Sequence, residues 1–104
     1  METNDRIYYG STPKFVLEIV GDGFNMSTDD FEIVLKGSRG SVLIEKKDTF
    51  VGDDGKFYFS FDTEELGVGK VKAVVTARVP DGDMPRGIRN EVYVIDWFAQ
   101  VYAV

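Results

Sequence analysis

Residues 56–79 read KFYFSF, DTEELGVG and KVKAVVTARV in succession, and they form the most regular pattern in the chain. Aromatic residues alternate with mostly polar ones in the first run, and valine or alanine alternates with mostly polar residues in the last. A period of two in β-branched and aromatic residues predicts two strands, each with one face on a core. The predicted inward residues are Phe57, Phe59, Phe61, Val71, Ala73, Val75, Ala77 and Val79.

The segment between these runs predicts a single capped helical turn. Asp62 or Thr63 can accept a hydrogen bond from a backbone N–H of residues 64–66. Gly67 and Gly69 can adopt the positive φ that ends a helix. Two strands joined by one short turn indicate an all-β domain.

Short strand patterns recur at intervals of roughly ten residues along the rest of the chain, and turn residues separate them. No helical period appears, which favours an immunoglobulin-like antiparallel β-sandwich of about seven strands in a single domain over residues 1–104. The loop 37–40 is short enough for an antiparallel hairpin. The further predicted strands are 6–9, 14–20, 31–36, 41–47 and 90–98.

Composition limits the possible functions. The net charge of −6 and a pI near 4.5 argue against a nucleic-acid partner, because phosphate binding depends on clustered lysine and arginine. The chain contains no cysteine and no histidine, so thiolate chemistry and the commonest general base and metal ligand are absent. We therefore expect a protein that is not an enzyme and has no cofactor.

The sequence gives only weak signals for localisation and for membrane contact. The apolar runs are only a few residues long, so no transmembrane segment and no membrane partner are expected. The N-terminal residues METNDRIYYG show no secretory signal. Cytoplasmic expression or a place in a virion is the expectation.

The C-terminal segment is apolar on both faces. Tyr93, Ile95 and Trp97 alternate with Val92 and other apolar residues, a pattern typical of a strand that is central or covered on its second face. An unbroken strand from residue 90 to residue 104 would be about 50 Å long, so it must bend or reach another molecule. Either these side chains complete the core, or they contact a protein partner or a second copy. The candidate contact residues are Trp97, Phe98, Val101, Tyr102 and Val104.

Acidic loops offer an alternative function. If successive strands alternate in direction, the loops 21–30, 48–55 and 80–86 meet at one end of the sandwich. This end would suit Ca²⁺, or a carbohydrate held through Ca²⁺, although Asp and Gly are also what tight turns require. A rise in melting temperature at millimolar Ca²⁺ would distinguish the two interpretations. The weak candidate ligands are Asp22, Asp53, Asp54, Asp81 and Asp83.

Three segments carry a resemblance to a known family. YYGSTPKFVL near the start, KFYFSFDTEELGVGKV in the middle and GIRNEVYVI near the end resemble the small β-sandwich domain of phage baseplate upper proteins and related prophage-encoded tail proteins. The resemblance covers residues 7–95, and it implies a structural role in a tail or baseplate without assigning a function to any single residue. Together with the apolar C-terminal segment, it leads to the hypothesis of a non-enzymatic assembly module.

Overall fold

The computed structural model describes residues 6–104, and nearly all of its regular structure is β. One helical turn, α1, covers Thr63–Leu66, and a short 3-10 turn covers Lys46–Asp48. The strands are β1 (Ile7–Tyr8), β2 (Lys14–Leu17), β3 (Phe31–Lys36), β4 (Ser41–Glu45), β5 (Phe50–Val51), β6 (Phe57–Ser60), β7 (Gly69–Pro80) and β8 (Ile88–Tyr102).

The strands form two sheets. The larger sheet has the order β1-β8-β7-β3-β4, and the smaller has the order β2-β6-β5. All pairings are antiparallel except that of β1 with the end of β8, which is parallel. The larger sheet is therefore mixed.

One apolar cluster joins the two sheets, and it contains most of the predicted inward residues; Phe57 is only half-buried. In β7, the row from Val71 to Val79 is buried at every second residue, and Phe31, Ile33 and Leu35 form the matching row in β3. Phe59 of the smaller sheet belongs to the same cluster. The period of two thus predicted the core correctly, and the all-β class is confirmed.

The capped turn also forms as predicted. The Asp62 side chain accepts a hydrogen bond of 2.9 Å from the backbone N–H of Glu64, and Gly67 follows the turn with a φ of 85°. Thr63 is fully buried; its hydroxyl accepts from the Gly10 N–H and donates to the Ser11 carbonyl. The turn therefore anchors the connection between β1 and β2.

The structure corrects several details of the predicted sandwich. Residues 6–104 form eight strands rather than about seven, because Phe50–Val51, inside the predicted 48–55 turn, pairs with β6. The arrangement is not purely antiparallel: β1 lies in the larger sheet beside β8, and the chain crosses to the smaller sheet at β2. Strand β2 ends at Leu17 rather than at residue 20, because its partner β6 begins at Phe57, opposite Leu17.

Strand β8 is continuous but irregular. Val71 pairs with Ala99, and Ala73 pairs with Ile95, so the three residues 96–98 of β8 lie opposite Lys72 alone. Such a bulge bends a strand and redirects its side chains. The long C-terminal segment is therefore one strand with a kink.

Candidate interaction surface

Strand β8 has a long unpaired edge in the larger sheet. On one side, β8 pairs with β7 along most of its length. On the other side, β1 pairs only with Val101 and Tyr102. Among residues 6–104, no strand covers the edge of residues 88–100, which we call the free edge. A free edge presents N–H and C=O groups that can accept another strand.

The free edge carries apolar side chains on both faces. Val92 and Val94 are 57% and 54% exposed, and Tyr93 and Ile95, which point to the opposite face, are also exposed. The expected second-face cover for this strand is thus missing from the described structure. The reason is that β1 reaches only the last two residues of β8, while residues 17–20 line a groove with Tyr93 and Ile95 and do not bury them. Apolar groups beside unpaired backbone are typical of a binding surface.

The bulge separates two neighbouring aromatic residues. Phe98 turns into the core, where its ring centroid lies 5.0 Å from that of Phe15. Trp97 stays on the solvent side, 64% exposed, with the Lys70 ammonium 5.1 Å above its ring. Asp96 lies on the same side, 4.0 Å from the Lys72 ammonium. The bulge therefore places an exposed tryptophan beside the free edge.

An apolar row runs from the free edge across the solvent face of the larger sheet. Val94 pairs with Val74, Val74 with Val34, and Val34 with Leu43. Leu43 and Val94 are exposed, and the two residues between them are partly exposed. We call these four residues the valine row. It gives the free edge an adjoining apolar surface.

On the core side, a groove separates the free edge from the end of the smaller sheet. Tyr93, Ile95 and Val75 form one wall, and residues 17–20 form the other. The groove has a volume of about 220 Å³ and is open to solvent. It exists because β2 ends at Leu17, so the smaller sheet does not extend far enough to cover β8.

A network of hydrogen bonds and ion pairs lies at the start of β8, where the free edge meets the β7–β8 hairpin. The Arg89 guanidinium donates to Asp81 and to Glu91, both at 2.8 Å. The Tyr93 hydroxyl donates to the other Glu91 oxygen at 2.7 Å. The hydrogen bond from Tyr93, followed by those from Arg89, lowers the pKa of Glu91, and the same bond raises the pKa of Tyr93. The two carboxylates are therefore held in the charged form, and Arg89 balances part of their charge.

The predicted partner-contact residues occupy different positions. Val101 is fully buried, and Phe98 packs on the core. Tyr102 lies against Tyr8 and beneath the Arg6 guanidinium, within its own chain. Trp97 and Val104 are exposed. Of this set, Trp97 is the exposed residue within the free edge, and the structure does not bring the five together.

The loops with the candidate cation ligands do approach each other. Met26 and Gly55 line one groove, and Gly23 lies against Val79 at the end of β7. Even so, no three acidic side chains within residues 6–104 are placed to hold a metal ion. Asp22, Asp53 and Asp83 are exposed and belong to no such group.

The other two candidate ligands have internal partners. Asp81 accepts from Arg89 and from the Asp83 backbone N–H, and the latter bond, followed by Arg89, lowers the pKa of Asp81. Asp54 accepts from the Tyr58 hydroxyl and the Lys56 backbone N–H, which lower the pKa of Asp54 in that order. Both carboxylates therefore stabilise turns of the chain through these hydrogen bonds.

Sequence reasoning missed the residues at the centre of this surface. The sequence predicts a strand with two apolar faces here, but the predicted contact residues do not include Val92, Tyr93, Val94 or Ile95. The signal was present, because an apolar strand with two apolar faces needs two covering layers. The sequence pattern does not show how many covering layers the fold supplies.

Comparison of the chain with protein-family models, with curated proteins and with solved structures finds no match. Within the described residues, no helix has the length and apolar character needed to span a membrane.

Proposed function

We propose that this protein is a non-enzymatic assembly module, an immunoglobulin-like β-sandwich that holds a protein partner, or copies of itself, through the free edge of β8. The observation that carries the proposal is the combination of unpaired backbone over residues 88–100 with exposed apolar side chains on both faces. Monomeric proteins usually protect such an edge with charges, prolines or a covering segment. Here the centre of the edge is Val-Tyr-Val-Ile, residues 92–95.

The strand order supports the immunoglobulin-like part of the proposal. In that fold, strands B, E and D share one sheet, and strands C, F and G share the other, with C′ added in variable-type domains. Taking β2, β5 and β6 as B, D and E gives the order B-E-D of the smaller sheet. Taking β3, β4, β7 and β8 as C, C′, F and G gives G-F-C-C′, with β1 beyond G.

A place in a phage or prophage tail is the biological setting we propose. Its support is the sequence resemblance over residues 7–95. Tail and baseplate proteins work by holding copies and partners in fixed positions, and a free edge flanked by the valine row suits such a role. The acidic loops favour a cation-binding function less, because Asp54 and Asp81 already have internal hydrogen-bond partners.

Site-specific photo-crosslinking in cells of the natural source tests the proposal. A photoreactive amino acid replaces Val94 on the free edge in one variant and Val51 in the other. Both valines are more than half exposed, but Val51 lies in the smaller sheet. We expect discrete crosslinked products from position 94 and none, or far fewer, from position 51. Equal yields from both positions, or none from position 94, would overturn the proposal.

A further inference from the structure

We propose that the solvent face of the larger sheet binds an acidic oligosaccharide, a chain of sugar rings that carry carboxylates, at Trp97. The site consists of Trp97 and three lysines, Lys36, Lys70 and Lys72, which we call the lysine patch. It is separate from the acidic loops and needs no Ca²⁺. The inference does not rest on the proposed function, because crosslinking at position 94 can succeed or fail whether or not a sugar binds here.

Strand register gathers the lysines on one face. Lys36 of β3 pairs directly with Lys72 of β7, so the Cβ atoms of the two side chains lie about 5 Å apart. Lys70 points to the same face two residues earlier in β7, about 7 Å away along the strand. All three lysines are exposed. A chain with a net charge of −6 thus concentrates positive charge at this point.

The carboxylates of the chain neutralise the lysine patch only weakly. Like charges directly opposite each other in a sheet repel, and Lys36 and Lys72 are such a pair. No carboxylate of residues 6–104 forms an ion pair with Lys36 or Lys70. Lys72 has Asp96 at 4.0 Å, and the Asp96 side chain is 85% exposed. The carboxylates of a ligand would therefore be attracted to the patch and would relieve its internal repulsion.

Trp97 supplies a flat apolar surface beside the lysine patch. The bulge places residues 96–98 opposite Lys72. The Lys70 ammonium lies 5.1 Å from the centre of the indole, yet Trp97 remains 64% exposed. The face of an aromatic ring carries partial negative charge and attracts the slightly positive C–H groups of a sugar ring. A sugar can therefore stack on Trp97 while its carboxylates reach the lysines.

This combination favours an acidic oligosaccharide over other anions. A single inorganic anion would contact one or two lysines and would make no use of the indole. A nucleic acid would bring many phosphates against a chain that carries −6 and has three lysines in this patch. An acidic peptide would match the lysines, but its carboxylates stand on flexible stems and offer no flat ring to Trp97. Sugar rings that each carry a carboxylate provide both a ring face and repeated charges.

The fluorescence of Trp97, the one tryptophan of the sequence, reports binding directly. We titrate the full chain at low salt with oligogalacturonate, oligosialic acid, the methyl ester of oligogalacturonate, and polyglutamate. The ester keeps the rings and removes the charge, whereas polyglutamate keeps the charge and removes the rings. We expect at least one acidic sugar to produce a saturable change and to bind at least about tenfold more tightly than the ester and polyglutamate.

Matched lysine variants test the location. Lys72→Gln removes a charge from the lysine patch, and Lys56→Gln removes the same charge from an exposed position just before β6. We expect Lys72→Gln to weaken binding about tenfold and Lys56→Gln to leave it within about twofold of the wild type. Thermal melts check that each variant is folded.

Variants of Trp97 test the stacking surface. Calorimetry replaces fluorescence here, because the reporter itself is changed. We expect Trp97→Ala to weaken binding of the acidic sugar about tenfold, and Trp97→Phe to keep part of the affinity because it keeps a smaller ring.

The other outcomes overturn the inference. If neither acidic sugar binds saturably, there is no such site. Equal losses for Lys72→Gln and Lys56→Gln would show that only the overall charge matters. Equal or tighter binding of polyglutamate would assign the lysine patch to an acidic peptide instead. Unchanged affinity in Trp97→Ala would remove the indole from the site.

Discussion

Strands β7 and β8 are neighbours with similar apolar content, but the inward row of β7 is buried while much of β8 is exposed. The inward row of β7 is buried, from Val71 at 0% to Val75 at 4% exposure. In β8, Val92 and Val94 are more than half exposed. The difference lies in coverage: β7 has a strand on each side and the smaller sheet beneath it, whereas β8 has β7 on one side and only the tip of β1 on the other. Apolar content alone therefore does not decide which strand becomes core.

The largest expected effect breaks the buried side of this comparison. Val71→Asp places a carboxylate in the core without a partner, and we expect it to cost more than about 4 kcal/mol, enough to unfold a domain of ordinary stability. Val94→Asp, in the neighbouring strand, should change the free energy of unfolding of the monomer by no more than about 1 kcal/mol. Urea denaturation of dilute protein measures both. Similar losses for the two variants would show that β8 is covered.

A pair of adjacent aromatic residues sharpens the comparison within β8. Phe98→Ala removes a ring packed on Phe15 and Phe59, and we expect a loss of about 3 kcal/mol. Trp97→Ala removes a ring that stacks under Lys70 in solvent, and the monomer should lose about 1 kcal/mol or less. Denaturation curves of dilute protein distinguish them. A larger loss for Trp97→Ala would contradict the side-chain directions that the bulge sets.

Two hairpin turns extend the comparison between covered and uncovered regions. Gly37, after β3, lies against the Leu66 carbonyl of α1, where an added Cβ would collide with backbone. Gly82, after β7, has open space around the corresponding position. We expect Gly37→Ala to cost about 1–3 kcal/mol, while Gly82→Ala stays within about 0.5 kcal/mol. Thermal melts measure both variants, and equal shifts in melting temperature for Gly37→Ala and Gly82→Ala would contradict this prediction.

The smallest expected effect concerns pH and the hairpin before β8. The Asp83 N–H and Arg89 lower the pKa of Asp81 in the folded state. The unfolded chain therefore binds the proton more readily, so the stabilising contribution is complete above the ordinary carboxyl pKa and is lost as the pH falls through the lowered value. Asp81→Asn should reduce the melting temperature by a few degrees at most at neutral pH and flatten its decline in acid. If the melting temperatures of the wild type and of Asp81→Asn fall equally as the pH is lowered, this prediction is wrong.

The fold could be predicted from the sequence where local patterns determine the structure. Alternation predicted the β3, β6 and β7 rows, and the Asp62 cap and Gly67 predicted α1. The β5 strand escaped prediction because two residues carry no period. The parallel pairing of Ile7 with Val101 escaped because it joins residues distant in sequence.

The surface was predictable only in part. The apolar C-terminal segment predicts a contact region, and of its candidate residues the structure leaves Trp97 and Val104 exposed. Val101 became core because β1 pairs beside it, and Phe98 became core because the bulge turned it inward. The local periodicity of the sequence does not predict the burial of either residue. The valine row likewise depends on the register of four strands.

The parallel contact between β1 and β8 has a mechanical consequence. Tyr8 lies beside Tyr102, and Tyr9 donates a backbone hydrogen bond of 2.9 Å to the Tyr102 carbonyl. Because the two strands run in the same direction, a pull on residue 6 against a pull on residue 104 slides one strand along the other. All bonds of the contact then carry the load together instead of opening one by one. Under such a pull, this short parallel contact would delay extension of the domain.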